Sequence, residues 1–265
     1  MADHQLITIV WSHYNEQVRW VLQRYGVEWR EHAYLPVFHF LPVMWETLGR
    51  GVGHADKVSS RFSTPLLITD EGRRISDSRE IMKYLSDRFA EKKNHLYPTA
   101  EVTQLQNYFH DHLGPATRKI VYYMLLPSPE INQEMVKKLV SLPQQWMFKF
   151  LGSIMTNMIT QNLHINEKTV QKSLQKVRQI FSEISERIQS RKYLVGRKIS
   201  AADISFACLA SPVLWIDQSE GHSTIPVLDS KFPKEFIDLK EELRATPAGQ
   251  FALRLFKEEH QTIKA

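Results

Sequence analysis

The sequence predicts a small α/β domain followed by a larger all-helical domain. Residues 5–34 contain a β-rich run, a helical stretch and a second β-rich run, which together make a β-α-β unit. Residues 65–89 add a strand, a tight turn, a second strand and a helix. After residue 100, apolar side chains recur almost everywhere at helical spacing. We therefore expect an α/β layer over residues 1–93 and an all-helical domain over residues 101–265.

The composition is that of an ordinary globular protein and argues against a nucleic-acid-binding function. The 265 residues are 43% hydrophobic and 24% charged, with a formal net charge of +5. The basic residues are spread along the chain, mostly singly or in pairs such as Arg73-Arg74, whereas nucleic-acid binding needs a concentrated basic face. The single cysteine, Cys208, excludes an intramolecular disulfide and a zinc cluster. The absence of disulfides fits a reducing compartment.

The sequence offers no targeting or membrane-spanning signal. Its first residues, MADHQLITIVW, lack the basic region and long apolar core of a signal peptide. The most apolar later segment, residues 147–159, is too short and too interrupted to cross a bilayer. We therefore expect a cytoplasmic protein without a membrane span.

The first three elements follow from apolar periodicity and from one glycine. Residues 5–11 form the first strand, and residues 15–25 place apolar side chains on one face of a short helix. Gly26 suits the end of that helix because glycine takes the left-handed conformation cheaply. Residues 27–34 alternate imperfectly between apolar and charged side chains and predict the second strand.

A long irregular stretch separates this unit from the next strands. Residues 35–63 contain two prolines and several glycines, and they predict one short helix at residues 44–48 within a loop. A loop of this length is usually functional or mobile.

A hairpin and a helix complete the α/β layer. Pro65 cannot donate a ladder hydrogen bond and therefore suits the first residue of the Leu-Leu-Ile strand, while Gly72 suits the hairpin turn. Asp77 is expected to cap the next helix, with Glu80 at the spacing of a capping box. The N–H groups at this helix start could receive a carboxylate, although a capped helix without a ligand explains the same pattern.

The remainder of the chain is predicted to be helical. Residues 94–102 form a linker, and residues 101–125 form a long helix that carries aromatic and basic side chains. Residues 130–164 show helical spacing with an expected break at Pro143, and residues 167–190 are amphipathic.

The start of one further helix is strongly marked. Ser200 and Asp203 have the spacing of a capping box, and Ile199 and Ile204 have that of a hydrophobic staple. Small and aliphatic residues follow on all sides, as in a helix packed in the middle of a bundle. Within it, Cys208 is expected to be an inert core residue.

Two clusters allow more than one interpretation. The His-Asp-His of residues 110–112 places its histidines on different helix faces, so a solvated face or a cleft wall is favoured over a metal site. The apolar side chains of residues 147–158 allow a pliable pocket, but a bundle core is the favoured role. These side chains are Met147, Phe148, Phe150, Met155 and Met158.

Three separated motifs, taken together, resemble the glutathione transferase superfamily over nearly the whole chain. They are Ser12 at the first strand–helix junction, Thr64-Pro65 before a strand with Asp77-Ser78 at the next helix, and the capping box of the helical half. The resemblance implies a thioredoxin-like N-terminal domain and a helical-bundle C-terminal domain, which is the glutathione transferase fold.

The resemblance implies a binding role for four residues. It implies that Pro65 follows a cis peptide bond and that the backbone of Thr64 pairs with the cysteinyl part of glutathione. It also implies that Asp77 binds the γ-glutamyl ammonium, while Ser78 and the helix N-terminus bind the carboxylate. The capping box resembles the folding signature of the family and implies stability rather than chemistry.

The first motif, WSHYNEQVRW, resembles the segment that activates the glutathione thiol. Counting back from Val18-Arg19 places Ser12 at the activating position, where a donor would stabilise the nucleophilic thiolate. Tyr14 and Asn15 are close enough in sequence to replace it, and a plain helix cap is the alternative role of Ser12. The motif departs from the family where Gln17 replaces a frequent basic residue, and where histidine replaces the usual proline after Ser12.

The function implied is that of a glutathione transferase in detoxification, with glutathione as co-substrate and no metal. It would conjugate the glutathione thiolate to a small, electrophilic, apolar substrate and would form a homodimer. His110, Arg118 and Tyr122 are candidates for the substrate cleft, with a structural network at the domain interface as their alternative role. A non-catalytic relative that binds glutathione or an apolar ligand remains open. A glutathione-dependent reductase or peroxidase is disfavoured because no cysteine lies near residue 12.

Overall fold

The computed structural model describes residues 4–52 and 61–260, which form two compact units. The first unit contains the described residues up to Leu96 and the second begins at Tyr97. Part of the predicted loop over residues 35–63 and the end of the predicted helical domain lie outside the described residues.

The N-terminal unit is a four-stranded mixed sheet with helices. The sheet has the order β2-β1-β3-β4, in which β1 is parallel to β2 and antiparallel to β3, and β4 is antiparallel to β3. Its elements are β1 (His4–Ile9), α1 (His13–Arg24), β2 (Trp29–Tyr34), α2 (Phe40–Glu46), β3 (Leu66–Ile68), β4 (Arg74–Ser76) and α3 (Ser78–Phe89).

Burial on both faces of β1 and β3 sets the core of this unit. Leu6 and Leu67 face each other in the ladder and are both fully buried, and α1 packs against α3. On another side of the core, Val43 of α2 packs with Ile7 and Leu66. The helix predicted at residues 44–48 thus begins earlier, because Pro42 falls in its first turn, where a missing N–H costs little.

A buried charge cluster connects the first three elements. Arg19 of α1 is 1% exposed and its guanidinium contacts Glu31 of β2 at 2.6 Å, Glu16 at 3.2 Å and the carbonyl of Val10 at 3.2 Å. Burial alone would raise the pKa of Glu31, but Arg19 and the hydroxyl of Thr8 outweigh it and lower that pKa. Removing one partner from such a cluster leaves a buried unpaired charge, so it fixes the strand–helix–strand arrangement.

The second unit is helical. Its elements are α4 (Ala100–Tyr108), a π-helical turn (Phe109–Leu113), α5 (Gly114–Leu125), α6 (Pro129–Leu139), α7 (Leu142–Asn162), α8 (Glu167–Arg187), α9 (Ala201–Leu214), a short 3₁₀ turn (Gln218–Glu220), α10 (Lys234–Arg244) and α11 (Pro247–Glu259). The predicted helix of residues 101–125 therefore carries a π turn in its middle. The predicted break at Pro143 is confirmed, since that residue lies in the first turn of α7.

The signature at the start of α9 is confirmed in detail. The N–H of Ser200 donates to Asp203 Oδ2 at 2.8 Å, and the N–H of Leu194 donates to Asp203 Oδ1 at 2.7 Å. Ile199, Ile204 and Cys208 are buried, as expected for a staple and for an inert core cysteine.

The core role favoured for the apolar residues of α7 is wrong for most of them. Met155 is buried, but Met147, Phe150 and Met158 are exposed. The physical reason is that α7 has only one extended packing partner, α6, among the described elements, so only one of its faces is covered. No described helix is long and apolar enough to cross a membrane.

Candidate functional site

Three segments of the N-terminal unit meet at one end of the sheet. In the ladder, Ile7 of β1 pairs with Leu66 of β3, and Leu66 pairs with Ser76 of β4. Because β3 runs antiparallel to both neighbours, the start of β3 lies beside the ends of β1 and β4. The residues that follow β1, precede β3 and follow β4 are therefore neighbours.

Two side chains of α1 reach across to the other segments. The amide of Asn15 donates to the carbonyl of Ile9 at 2.9 Å and to the hydroxyl of Thr64 at 3.4 Å. The amide of Gln17 donates to the hydroxyl of Ser78 at 3.5 Å, a long and weak bond. Gln17, which departs from the family pattern, thus supplies a neutral donor to a predicted binding residue.

Ser12 precedes α1 and does not act as a side-chain cap. Its carbonyl accepts the N–H groups of Asn15 and Glu16, both at 3.0 Å, so its backbone starts the helix. Its half-buried hydroxyl makes no hydrogen bond with any residue of the described ranges. The interpretation of this hydroxyl as a plain helix cap is therefore not supported, and the group remains available at the positive end of α1.

Tyr14 lies two residues further, in the first turn of α1. It is half-buried, and its ring lies 4.6 Å from the ring of His13, measured between centroids. His13, which replaces the usual proline, is itself buried at 4% exposure. The aromatic contact orients Tyr14 by packing, so its ring position depends on His13.

The Thr64-Pro65 peptide bond is cis, which confirms the expectation drawn from the resemblance. Pro65 is buried and precedes β3 directly. Thr64 lies just outside the strand, and neither its N–H nor its carbonyl bonds to the backbone of a described residue. The N–H and the carbonyl of Thr64 are thus left for another peptide-like group.

Asp77 caps α3 in a conformation that is rare for a residue with a side chain. Its φ of 72° and ψ of 125° lie outside the regions that most residues adopt. Its Oδ1 accepts the N–H of Arg79 at 2.9 Å, so the cap bond goes to the residue before the Glu80 of the predicted capping box. Unusual backbone of this kind often occurs at binding sites.

Arg79 is a part of this site that the sequence interpretation missed. Its guanidinium binds both carboxylate oxygens of Asp77, at 3.2 Å to Oδ1 and 2.8 Å to Oδ2. Both side chains are about one-third exposed, at 29% and 31%, so a polar ligand could reach the pair. The only sign of it in the sequence is a basic residue two positions after an acidic helix cap, and that pattern alone does not identify a site.

His39 is a second polar residue that was not predicted. It precedes α2, is 6% exposed, and its Nδ1 makes no hydrogen bond with a residue of the described segments. Burial lowers the pKa of His39 to about 4, so the imidazole is neutral at pH 7. Its ring lies 4.3 Å from that of Phe40.

The candidate cleft residues lie in the helical unit. His110 is part of the π-helical turn, and Arg118 and Tyr122 are one turn apart on α5, all three half-buried. Single π turns occur frequently at functional sites. Among the described residues, no group of three or more histidine, cysteine, aspartate or glutamate side chains is arranged to hold a metal ion.

Comparison with protein families gives a match in each unit. Residues 6–93 match the family model described as the glutathione S-transferase N-terminal domain. Residues 124–234 match the model described as the glutathione S-transferase C-terminal domain. A search of curated proteins gives no match to the sequence.

Solved structures match along nearly the whole chain. Glutathione transferase GSTFuA3 from Phanerochaete chrysosporium is 18% identical, with a TM-score of 0.63 and coverage of 99% of each chain. The glutathione S-transferase CsGST63524 of Ceriporiopsis subvermispora, solved with glutathione, is 16% identical, with a TM-score of 0.62 and coverage of 99% of this chain and 100% of that one. Poplar glutathione transferase F1 is 16% identical, with a TM-score of 0.53 and coverage of 97% and 99%.

Proposed function

The chain belongs to the glutathione transferase superfamily, and from this premise we propose that it binds glutathione and conjugates its sulfur to a small, apolar electrophile. The site lies where Ser12, Thr64 and Asp77-Ser78 meet at one end of the sheet. In this proposal the protein works in the cytoplasm in detoxification, and His110, Arg118 and Tyr122 contact the electrophile.

The observation that carries the proposal is the hydroxyl of Ser12. It stands at the N-terminus of α1 and takes no part in the helix cap. A glutathione sulfur bound there would receive a hydrogen bond from the hydroxyl and would feel the positive end of the helix dipole. Both interactions favour the thiolate over the thiol, and the thiolate is the nucleophile.

Different parts of the tripeptide would be held by neutral backbone groups, by a helix N-terminus and by a carboxylate. The N–H and carbonyl of Thr64 would pair with the cysteinyl backbone, as one strand pairs with another. The hydroxyl of Ser78 and the start of α3 would bind the γ-glutamyl carboxylate, and Asp77 would bind the ammonium. The ion pair with Arg79 fixes the orientation of the Asp77 carboxylate.

The chemical step needs only the activated sulfur. The glutathione thiol releases its proton to water, and the thiolate forms a bond from sulfur to an electrophilic carbon. In a substitution, the leaving group departs with its electron pair; in an addition, that carbon's neighbour gains the pair and then a proton from water. Ser12 stabilises the sulfur anion before attack and transfers no proton itself.

A glutathione-binding relative without turnover is the second candidate function. Two observations favour it: His13 and Gln17 replace residues usual in the motif, and Gln17 offers Ser78 only a weak neutral bond. A reductase that uses a protein thiol is not supported, because Cys208 is fully buried in α9.

The ionisation of bound glutathione tests the proposal. An ordinary thiol has a pKa of about 8.5, and we expect that of bound glutathione to be lower. The absorbance of the thiolate, followed against pH with saturating glutathione, reports this directly. Ser12→Ala should raise the midpoint and lower turnover with a conjugation substrate, while glutathione affinity changes less.

Tyr14→Phe is the matched control for this titration. If Tyr14→Phe moves the midpoint and Ser12→Ala does not, the activating role belongs to Tyr14. If the wild type shows no lowered midpoint, the protein does not activate the thiol and the binding function stands alone.

Calorimetric titration with glutathione tests the binding residues separately. Asp77→Asn should weaken binding by roughly 1.5–3 kcal/mol, the range for a hydrogen bond to a charged group. Asp87→Asn in the same helix is the control, since Asp87 binds Lys83 and His95 away from the proposed site. Equal affinity of wild type and Asp77→Asn would contradict the assignment of Asp77.

A further inference from the structure

The outer side of α7 is a large exposed apolar surface. This helix has 21 residues, which makes it about 30 Å long, and a single charged side chain, Lys149. Seven of its large apolar side chains are between 41% and 71% exposed, which is unusual for the surface of a globular protein. These side chains, called here the α7 face, are Leu142, Trp146, Met147, Phe150, Leu151, Ile154 and Met158.

The α7 face is a broad arc rather than a narrow stripe. With about 3.6 residues per turn, its side chains are distributed over about half of the circumference of the helix. The buried residues Gly152, Met155 and Ile159 lie on the other half, where α6 packs. A partner helix covers mainly the narrow strip of a and d positions, whereas a flat surface covers a broad arc. The width of the α7 face therefore favours a planar partner.

The residue types of the α7 face are those of helices that lie in a membrane interface. Trp146 and Phe150 are both exposed, and their rings lie 5.6 Å apart between centroids. Tryptophan prefers the level of the headgroups, while phenylalanine and leucine bury at the boundary with the acyl chains. The ammonium of Lys149 lies 5.7 Å from the centre of the Trp146 ring, and the long lysine side chain can extend from there to the headgroups.

The chain around α7 carries positive charge and no negative charge. No aspartate or glutamate lies between Glu134 and Glu167, although 29 of the 265 residues of the chain are acidic. The same stretch contains three exposed lysines, Lys137, Lys138 and Lys149. Lys138 pairs with Glu134 at 2.7 Å, whereas no described carboxylate pairs with the other two. Unpaired lysines beside an apolar face are attracted to an anionic surface.

We propose that α7 binds the surface of a membrane that contains anionic phospholipids. The helix lies in the plane of the interface, with the α7 face inserted by about 5–10 Å and α6 on its aqueous side. Lys137 and Lys149 contact the headgroup phosphates. The strength of binding follows from the apolar area that is buried and from the attraction between the two lysines and the anionic lipid.

Co-sedimentation of the full chain with vesicles tests the proposal. The vesicles are a two-to-one mixture of phosphatidylcholine and phosphatidylserine. We expect the wild type to bind, and Ile154→Glu should lower the partition coefficient by about tenfold or more, because a carboxylate is costly among acyl chains. Leu48→Glu is the matched control and should bind as the wild type does. It makes the same charge change at an apolar side chain that is 81% exposed in the N-terminal unit.

Lysine variants test the electrostatic part of the proposal. Each lysine near an anionic surface strengthens binding about fivefold. The double variant Lys137→Ala/Lys149→Ala should therefore bind the mixed vesicles about 25-fold more weakly, and its binding to pure phosphatidylcholine should change little. The control is Lys198→Ala/Lys257→Ala, which removes two exposed lysines elsewhere in the helical unit and should leave binding unchanged. Equal losses in the two double variants would contradict a specific role for the lysines near α7.

A fluorescent label locates the contact without altering the α7 face. The only cysteine of the chain is buried, so an introduced cysteine can be labelled selectively. Asn157 is exposed and lies two turns from Phe150 on the same side of α7. A polarity-sensitive label on Asn157→Cys should shift its emission to shorter wavelength on the mixed vesicles, whereas the same label on Ser190→Cys, an exposed position in the same unit, should not. Circular dichroism of each variant checks that it remains folded.

Three results would overturn the proposal. One is a wild-type protein that does not sediment with the mixed vesicles at any attainable lipid concentration. The second is an equal loss of binding in Ile154→Glu and Leu48→Glu, because the loss would then report the added charge and not the α7 face. The third is an oligomer that forms without lipid and that Ile154→Glu dissociates, because a second copy of the chain would then cover the α7 face. None of these results depends on glutathione, so the membrane contact and the proposed enzymatic function can fail separately.

Discussion

Helices α7 and α9 have nearly the same kind of sequence and opposite surroundings. Each has large apolar side chains on opposite sides and carries one charged residue, Lys149 in α7 and Asp203 in α9. Yet nearly all of α9 is buried, whereas seven large apolar side chains of α7 are exposed. Apolar side chains on opposite sides of a helix therefore do not by themselves predict that the chain buries both sides.

The difference in size of their side chains explains part of this contrast. Five small residues let neighbouring elements approach α9 closely: Ala201, Ala202, Ser205, Ala207 and Ala210. In α7 the one small residue that faces inward, Gly152, lies in the middle of the helix, and the outer face carries large side chains. Close approach is therefore possible all round α9, whereas α7 presents a ridge that needs a complementary groove.

The largest expected effect is on the free energy of unfolding, and it comes from removing one phenylalanine ring from each of the two helices in turn. Phe206 of α9 is fully buried, with the rings of Phe109, Phe181 and Phe251 at 5.4, 5.7 and 6.0 Å between centroids. Phe206→Ala should lower the free energy of unfolding by roughly 3–5 kcal/mol through a cavity.

Phe150→Ala removes the same atoms from α7, where the ring is 66% exposed. Under conditions in which the protein is monomeric, it should change the free energy of unfolding by less than about 0.5 kcal/mol. Denaturant unfolding of the two variants measures both values. A similar loss in both would mean that Phe150 is packed within the chain as tightly as Phe206.

A second expected effect concerns the charged residue of α9. Burial raises the pKa of Asp203 to about 6, from an ordinary value of 3.8, against the hydrogen bonds from Leu194 and Ser200. The folded state therefore holds the proton more tightly than the unfolded state. The stability that this provides is complete below pH 3.8 and is lost as the pH rises through 6.

Between pH 5 and pH 7, Asp203 should thus cost the wild type about 1 kcal/mol of unfolding free energy. Asp203→Asn removes this pH dependence, so the difference between the two proteins should change by that amount. In Asp203→Asn the new amide nitrogen faces an N–H donor, which lowers the stability of the variant equally at every pH. The test is therefore how the difference in unfolding free energy between the two proteins changes with pH, not its size at one pH. Parallel curves for the two proteins would show that Asp203 keeps an ordinary pKa.

The smallest expected effect compares the two N-caps. The side chain of Ser200 belongs to a capping box, so Ser200→Ala should cost about 1 kcal/mol of unfolding free energy. Ser141 precedes α7 and makes no side-chain cap bond, so Ser141→Ala should leave the thermal midpoint almost unchanged. Glutathione affinity should be intact in both, and a loss of binding in Ser200→Ala would contradict a purely structural capping box.

The elements of the fold that could be predicted are those determined by local chemistry. The capping box at Ser200 and the helix break at Pro143 depend on hydrogen bonds and sterics within a few residues. The order of strands and helices follows from apolar periodicity and chain order. The limits of α2 were less predictable, because Pro42 can either exclude a helix or begin one.

Features that depend on contacts between distant residues could not be predicted in this way. The π turn and the exposure of the large apolar side chains of α7 depend on how the helices pack, which periodicity does not record. In the candidate site, the motifs identified Ser12, Thr64, Asp77 and Ser78, but their roles remain proposals. The pairing of Arg79 with Asp77 required coordinates, because many surface arginines near carboxylates are equally plausible from sequence.

The π turn at Phe109–Leu113 also acts as a phase shift between the two halves of one long helix. A π turn contains about one residue more than an α turn, so every side chain after it is rotated by roughly 100° relative to an uninterrupted helix. His110 and Arg118 are eight residues apart, yet they do not have the angular relation that eight α-helical residues would give. If one residue were deleted from this turn, Arg118 and Tyr122 would face different neighbours, although neither residue would itself be changed.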